Sequence, residues 1–350
     1  MTSFRTTQEV TSPSRVVLIF LLAMAAAVGI VACDRDTPAP STVPSAQSLA
    51  VIRLGYRSKV LGDPTPPALA TLAADPERPF RVELVPLSTP ADGFNKLASG
   101  EVDAVAAMPL EAVFQQLSAG GEPKFFAYAF SVDRAGDEWV SIVARKGSGI
   151  EKLADAAGKT AVVAPTDQAE WLMRQMLLKA GVPENQIKIV RHGPQTPLLG
   201  FKSGEHDLIL TAEPVISLAL ADGGSIIERG PISRLLFNGA DVPVTASLLS
   251  AKFVQEHPDA ARAFQAEALK TASAMRATPE RFRELFAAEA YGALPPQIRS
   301  RFSFAVVVAP TQSIRDGLTE FHARLIADGI LKTPVRVERL FTAQLTRDNP

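Results

Sequence analysis

At 350 residues and 47% hydrophobic content, the chain is long enough to bury a full core and, by ordinary domain size, to build about two domains. Its 36 basic and 37 acidic residues give a formal net charge of -1, which excludes the clustered positive surplus that holds a nucleic-acid backbone. A single cysteine, Cys33, excludes a disulfide framework and a cysteine-rich metal site.

A polar stretch carrying Arg5 and Arg15 leads into an uncharged, mostly apolar run over 16–32 that ends at Cys33, the pattern of a targeting segment rather than of a fold. The run is short for a helix that must cross roughly 30 Å of hydrocarbon. Ile30-Val31-Ala32-Cys33 resembles a bacterial lipobox, with Ile30 where that pattern usually has Leu. On this reading 1–32 is a lipoprotein signal peptide, Cys33 is lipidated, and the mature chain carries 34 basic and 36 acidic residues. An uncleaved anchor and ordinary secretion are the alternatives, and in each case the folded part lies outside the cytoplasm. Residues 33–50, rich in Pro, Ser and Thr, read as a flexible tether.

The apolar stretch over 51–56 predicts a first strand, and a helix rich in Ala and Leu follows near 66–74. A second strand over 81–86, a helical turn over 94–97, a third strand over 103–108 and a helix over 110–117 come next. Gly120-Gly121 stops that helix. A longer strand over 138–145 leads through Gly147-Ser148-Gly149 into a short helix ending at Leu153. The pattern then restarts: a strand over 160–164, a loop over 165–167, and an amphipathic helix over 168–180 with Leu172, Met176, Leu177 and Ala180 on one face. Strands over 187–190 and 208–210 complete this half, and an extended run over 243–250 carries the chain back to the first. The remainder is helical. Pro258 opens a helix with Ala261, Phe264, Ala268, Ala272 and Met275 on one face. Thr278-Pro279 opens a second, with Phe282, Leu285 and Phe286; Ile314, Leu318, Phe321 and Leu325 mark a third, stopped near Gly329.

One phrase ties the two halves together. Ser99-Gly100-Glu101-Val102-Asp103 returns as Ser203-Gly204-Glu205-His206-Asp207, each time after an apolar run, a loop and a helical stretch, and each time before a small-apolar strand. A repeated phrase at conserved spacing implies a repeated supersecondary unit, hence two similar α/β lobes. Strands alternating with helices call for parallel sheets covered on both faces. Two connections between the lobes make a hinge that bends by changing a few backbone angles.

Enzyme motifs fail one after another. Gly158-Lys159-Thr160 imitates the end of a phosphate-binding loop, but Leu153 stands where that motif needs glycine. Gly147-Ser148-Gly149 is not a nucleophile elbow, because Lys146 and Ile150 occupy the outer glycine positions. His192, His206, His257 and His322 lie far apart and none has zinc-motif spacing. Glu101/Asp103 and Glu205/Asp207 sit at strand entries, where short acids satisfy local backbone donors. No cofactor, metal or catalytic residue is expected.

In open α/β sheets, ligands sit beyond the carboxyl ends of the strands. The loops there offer Tyr56, Arg57, Ser58, Ser88, Thr89, Thr166, Asp167, Gln168, His192, Gln195, Thr196 and Glu213. Met108 at a strand end and Thr245 on the returning strand complete the set. Glu213 either contacts ligand or braces the hinge, and Pro109 and Pro214 fix turns.

These features, with Glu213-Pro214 and His257-Pro258-Asp259 before an Ala/Phe helix, resemble the periplasmic solute-binding proteins of ABC importers, in the nitrate, sulfonate, taurine and thiamine-pyrimidine branch. The resemblance covers about 51–341. His257 stands where the family more often has Asn, and Pro165-Thr166-Asp167 replaces a Gly-rich loop. It implies a type II periplasmic-binding fold, α/β, with two mostly parallel sheets flanked by helices and joined by a two-strand hinge. Lobe 1 takes 51–145 and 244–350; lobe 2 takes 146–243. It also implies a monomer that captures a small polar or anionic solute in the interlobe cleft. That monomer would be tethered to a bacterial membrane through Cys33 and serve a permease with ATPase subunits. A ligand sensor acting on a separate receptor and a superfamily enzyme of thiamine-pyrimidine metabolism are the rival classes; the clustered cysteines associated with the latter are absent.

Overall fold

The computed structural model describes residues 50–57, 65–72, 80–118, 120, 122, 124–192, 197–283, 300–301 and 303–345. Cys33, the tether, Ser58, Gln195, Thr196, Leu285 and Phe286 lie outside them. Everything described belongs to one compact unit, Ser48–Pro350. Among these residues no helix is long and apolar enough to cross a membrane.

Two sheets form. In the first, β1 (Ala50–Tyr56) lies between β2 (Phe80–Pro86) and β3 (Ala104–Pro109), all parallel. Three strands add antiparallel pairings: β10 (Val242–Ser250) on β3, β4 (Phe125–Asp133) on β10, and β11 (Val306–Val308) on β4. In the second sheet β6 (Thr160–Val163) lies parallel between β7 (Lys188–Arg191) and β8 (Leu208–Ala212). There β5 (Val140–Ala144) pairs antiparallel with both β8 and β9 (Ser225–Arg229). The strand orders correspond, β2-β1-β3-β10-β4 against β7-β6-β8-β5-β9, so the duplication is real.

The sheets are mixed rather than mostly parallel, for a geometric reason. Each half lends the other one strand: β4 leads into β5 and β9 into β10, and a strand arriving across the hinge enters at the edge where the parallel strands end. It must therefore run back down the sheet. The strand predicted over 138–145 accordingly belongs to the second sheet, and the first crossing falls between Asp133 and Val140, earlier than the boundary expected at 145. The return crossing falls between Arg229 and Val242.

The repeated phrase has a structural job in both copies. It follows α2 (Pro90–Ser99) in one half and α5 (Pro197–Ser203) in the other, with Gly100 and Gly204 in left-handed backbone at φ 76° and 83°. Asp103 Oδ2 then accepts the backbone N–H of Arg53 at 2.9 Å, and Asp207 Oδ2 that of Thr160 at 3.0 Å. Each acid thus satisfies a donor on the neighbouring parallel strand and is held by an arginine, Arg53 or Arg145. The sequence implies short acids serving local backbone donors; in both copies the aspartate instead serves a donor on the neighbouring strand, 50 and 47 residues away in the chain.

The predicted helical faces are buried. In α8 (Pro258–Ala277), Ala261, Phe264, Ala268, Ala272 and Met275 all face inward, with Phe264 edge-on to Phe80 and Tyr128. The chain is helical again over 279–283, where Phe282 is buried, before leaving the described residues. The last helix, α9 (Gln312–Ala327), buries Ile314, Leu318, Phe321 and Leu325. One hydrophobic cluster runs from Val105 and Met108 in the first sheet through Phe321 to Trp171, Met176 and Ile142 on the second, so the lobes share a core.

Both crossings are laced together. Arg134 forms a two-bond ion pair with Asp241, the Ala135 N–H donates to Ser233 Oγ at 3.1 Å, and the Gly136 N–H donates to the Arg229 carbonyl. Gly230, at φ 55°, lies so close that a Cβ there would overlap the Arg134 carbonyl oxygen. Gly230→Ala is expected to destabilise the protein by about 2 kcal/mol or more, since both the backbone angle and the clash oppose it. Chemical unfolding checks this; an unchanged midpoint would refute the close apposition of the two crossings.

Candidate functional site

The carboxyl ends of β1, β2 and β3 and those of β6, β7 and β8 mark the edges from which the two lobes meet. Across that seam the Gln168 N–H, in the first turn of α4 (Asp167–Lys179), donates to Glu111 Oε2 at 3.1 Å. Glu111 stands in the first turn of α3 (Leu110–Ser118), directly after β3. Further along α4, Trp171 Nε1 donates to Asp328 Oδ2 at 2.6 Å at the end of α9. The rims are in contact, which is a closed arrangement.

Sequence-predicted residues fall into three groups. Tyr56 and Arg57 are half-buried at the end of β1, and an Arg57 Nη donates to the Ala107 carbonyl at 3.2 Å. Ala107 itself has φ 50°, left-handed backbone that costs a non-glycine residue roughly 1–2 kcal/mol and is found where a site demands it. Ser88, Thr89 and Thr166 serve helix starts: the Ser88 N–H and hydroxyl donate to Asp92, and the hydroxyl oxygens of Thr89 and Thr166 accept the N–H groups of Asp92 and Ala169. Asp167 is exposed and pairs with Arg191 at 2.7 Å. Met108 is fully buried in the shared core, and His192 lies 4.9 Å from the His206 ring.

The third group is buried. Glu213, 3% exposed, accepts the Ser217 N–H and hydroxyl and, at 3.4 Å, the Ser303 N–H, so it braces one lobe against the other. Desolvation by burial pushes its carboxyl up to about 7. Thr245 faces Pro109 in the β10–β3 register, and its Oγ1 is buried without a partner.

Two further groups at the seam share that condition. Trp139, 6% exposed, has an unpartnered Nε1, and the buried Gln168 has an unpartnered Oε1. The Glu213 N–H donates to the Trp139 carbonyl at 3.1 Å, which fixes Trp139 beside the carboxyl end of β8. Asp133, at the carboxyl end of β4, accepts the Ser233 N–H on Oδ2 while its Oδ1 has no partner. A buried polar group left unpaired costs about 1–3 kcal/mol. Four such groups therefore collect where β4, β5, β6 and β10 meet the seam.

Trp139 and Asp133 escape the rule that points to carboxyl ends of strands. β5 runs antiparallel, so its entry, not its exit, stands at the seam, and the sequence carries no signal of strand direction. β4 is apolar nearly throughout, with eight of its nine residues buried across both faces, so no alternation marks its end. Away from the seam, a cavity of about 490 Å³ lies at the opposite end of the first sheet, lined by Arg53, Asp103, Lys124, Lys252 and His257 among others. Among the described residues no group of three His, Cys, Asp or Glu side chains could hold a metal ion.

Two mixed sheets of matching strand order, joined by two laced crossings and closed on each other at their strand ends, define a two-lobed periplasmic-binding-protein fold. Solved structures agree. The ligand-binding component of an ABC-type import system from Staphylococcus aureus, with zinc bound, superposes at a TM-score of 0.67 and 15% identity over 85% of this chain and 98% of that one. The alkanesulfonate-binding protein SsuA from Xanthomonas axonopodis pv. citri, bound to MOPS, gives 0.64 and 17% over 83% and 97%. The periplasmic nitrate-binding protein NrtA from Synechocystis PCC 6803 gives 0.59 and 15% over 84% of each chain. No curated protein matches the chain in sequence. A family model described as NMT1/THI5 like matches residues 76–282, and the chain belongs to that family.

Proposed function

We propose that the chain is an extracytoplasmic solute-binding lipoprotein of an ABC importer, which takes a small polar organic solute between its lobes and hands it to a permease with ATPase subunits. Residues 1–32 serve as its signal peptide, Cys33 carries the lipid, the tether ends at residue 49 because Ala50 already belongs to β1, and the folded part works as a monomer. The observation that carries the reading is the set of unpartnered buried polar atoms on Trp139, Gln168 and Thr245 at the seam. A solute with donors and acceptors would satisfy them, and would favour the closed form to the extent that it contacts both lobes there. The fold shared with an alkanesulfonate-binding protein, a nitrate-binding protein and the ligand-binding component of an ABC-type import system supports the same reading.

The purified full-length chain, denatured and extracted, is expected to release one small organic molecule per chain by mass spectrometry, and re-addition of that molecule to raise the melting temperature. Conversion of the molecule to a product by the protein would overturn the transport reading in favour of an enzyme.

A further inference from the structure

The relatives that name their cargo name anions, sulfonates and nitrate. In this chain three of the backbone donors that an anion could use near the seam are occupied by the protein's own carboxylates. A helix start presents free N–H groups and partial positive charge, and so favours an anion. At α4, a helix of thirteen residues, the Gln168 N–H is taken by Glu111 from the opposite lobe, and Asp167 and Glu170 occupy the first turn. At α2 the Ser88 N–H is taken by Asp92, and beside β8 the Ser217 N–H is taken by Glu213.

Three of the arginines nearby are committed to carboxylates as well, while Arg57 at the end of β1 donates to the Ala107 carbonyl. Arg191 pairs with Asp167 and Glu170, Arg174 with Glu170 and Glu184, and Arg134 with Asp241. Glu111 differs from its acidic neighbours. Its Oε1 meets only the Gln115 amide, at 3.4 Å, and no lysine or arginine among the described residues forms an ion pair with it. An anionic solute at α4 would have to displace Glu111 and then lie beside it, and like charges at close range repel. The unpartnered groups on Trp139 and Gln168, both more than nine-tenths buried, are one donor and one acceptor, which an uncharged solute carrying both an acceptor and a donor would satisfy together.

We infer that Glu111 is a specificity-determining residue that bars anions from this cleft, so that its solute is uncharged or cationic. The inference rests on the solute-binding reading above and narrows it. The residue acts by filling, from the opposite lobe, the acceptor position on the Gln168 N–H and by placing a negative charge at the start of α4.

The test uses thermal melts of the full-length chain with sodium methanesulfonate or sodium nitrate, each against equal sodium chloride. The wild-type chain is expected to show no rise with either salt. Glu111→Ala, which leaves the Gln168 N–H open, is expected to gain a saturable rise of roughly 3 °C at ten times the dissociation constant for methanesulfonate. Glu111→Gln, the safer variant for folding because it keeps an oxygen on that N–H, is expected to gain a weaker rise. A saturable rise in the wild-type chain overturns the inference and leaves solute binding intact; so does the absence of a rise in both variants. A chain that releases no solute on denaturation and responds to no solute at all overturns the reading underneath it.

Discussion

At pH 8, Asp133→Asn is expected to stabilise the folded chain by up to roughly 4 kcal/mol and to flatten its stability between pH 5 and 8. Asp133 is 1% exposed at the first crossing, where burial pushes its carboxyl from 3.8 up to about 7, and Asp137 and Asp241 add to the rise. Between those values the native state holds a proton that the unfolded chain has released. Stability contributed by the neutral acid is therefore complete below about pH 4 and falls away as pH climbs through 7. Glu213 acts in the same direction, from 4.5 to about 7. Asparagine cannot ionise, yet it keeps an oxygen for the Ser233 N–H. Denaturant unfolding at a series of pH values should show the two proteins converging near pH 4 and diverging as pH rises. Parallel curves would mean that Asp133 is ionised in the folded protein.

Trp139→Phe is expected to move stability and affinity in opposite directions. The substitution removes an indole N–H that has no partner in the empty protein and leaves most of the ring in place. The empty chain should gain about 1 kcal/mol, the desolvation cost of that donor, while affinity for the retained solute should fall about tenfold, the worth of one hydrogen bond. Thr271→Val is the control. Its Oγ1 is also buried and unpartnered, but it lies on α8, which packs on the outer face of the first sheet. It should stabilise the chain and leave affinity unchanged. Calorimetric titration reads the affinity and thermal unfolding the stability. If both variants stabilise and neither weakens binding, Trp139 is a tolerated packing fault rather than a contact.

The duplicated architecture is legible from the Ser-Gly-Glu-x-Asp phrase because each copy meets the same two structural demands. The glycine needs left-handed backbone, and the aspartate must reach a donor on the adjacent parallel strand, as Asp103 and Asp207 do. Helical faces such as Ala261 to Met275 are equally legible, since their periodicity follows from burial on one side. What stays hidden is partnership over distance. The stretch over 138–145 reads correctly as a strand, but nothing local tells which sheet receives it. Glu111 and Gln168 look like ordinary first-turn residues, and their meeting across the seam depends on closure of two lobes. Ser88, Thr89 and Thr166, singled out as polar residues at strand ends, have a second role the sequence reading did not give them, at the starts of helices. Glu213 carries the hinge-bracing half of its two readings, through Ser217 and Ser303.

Hydrogen–deuterium exchange of the full-length chain, with its retained solute and after removal of that solute, locates the solute between the lobes. The solute is expected to slow exchange together at the end of β8, the start of β5 and the first turn of α4 in one lobe and at the end of β3 and the entry to β10 in the other. Protection confined to a single lobe, or centred on the Arg53–Lys252 cavity at the far end of the first sheet, would contradict that placement.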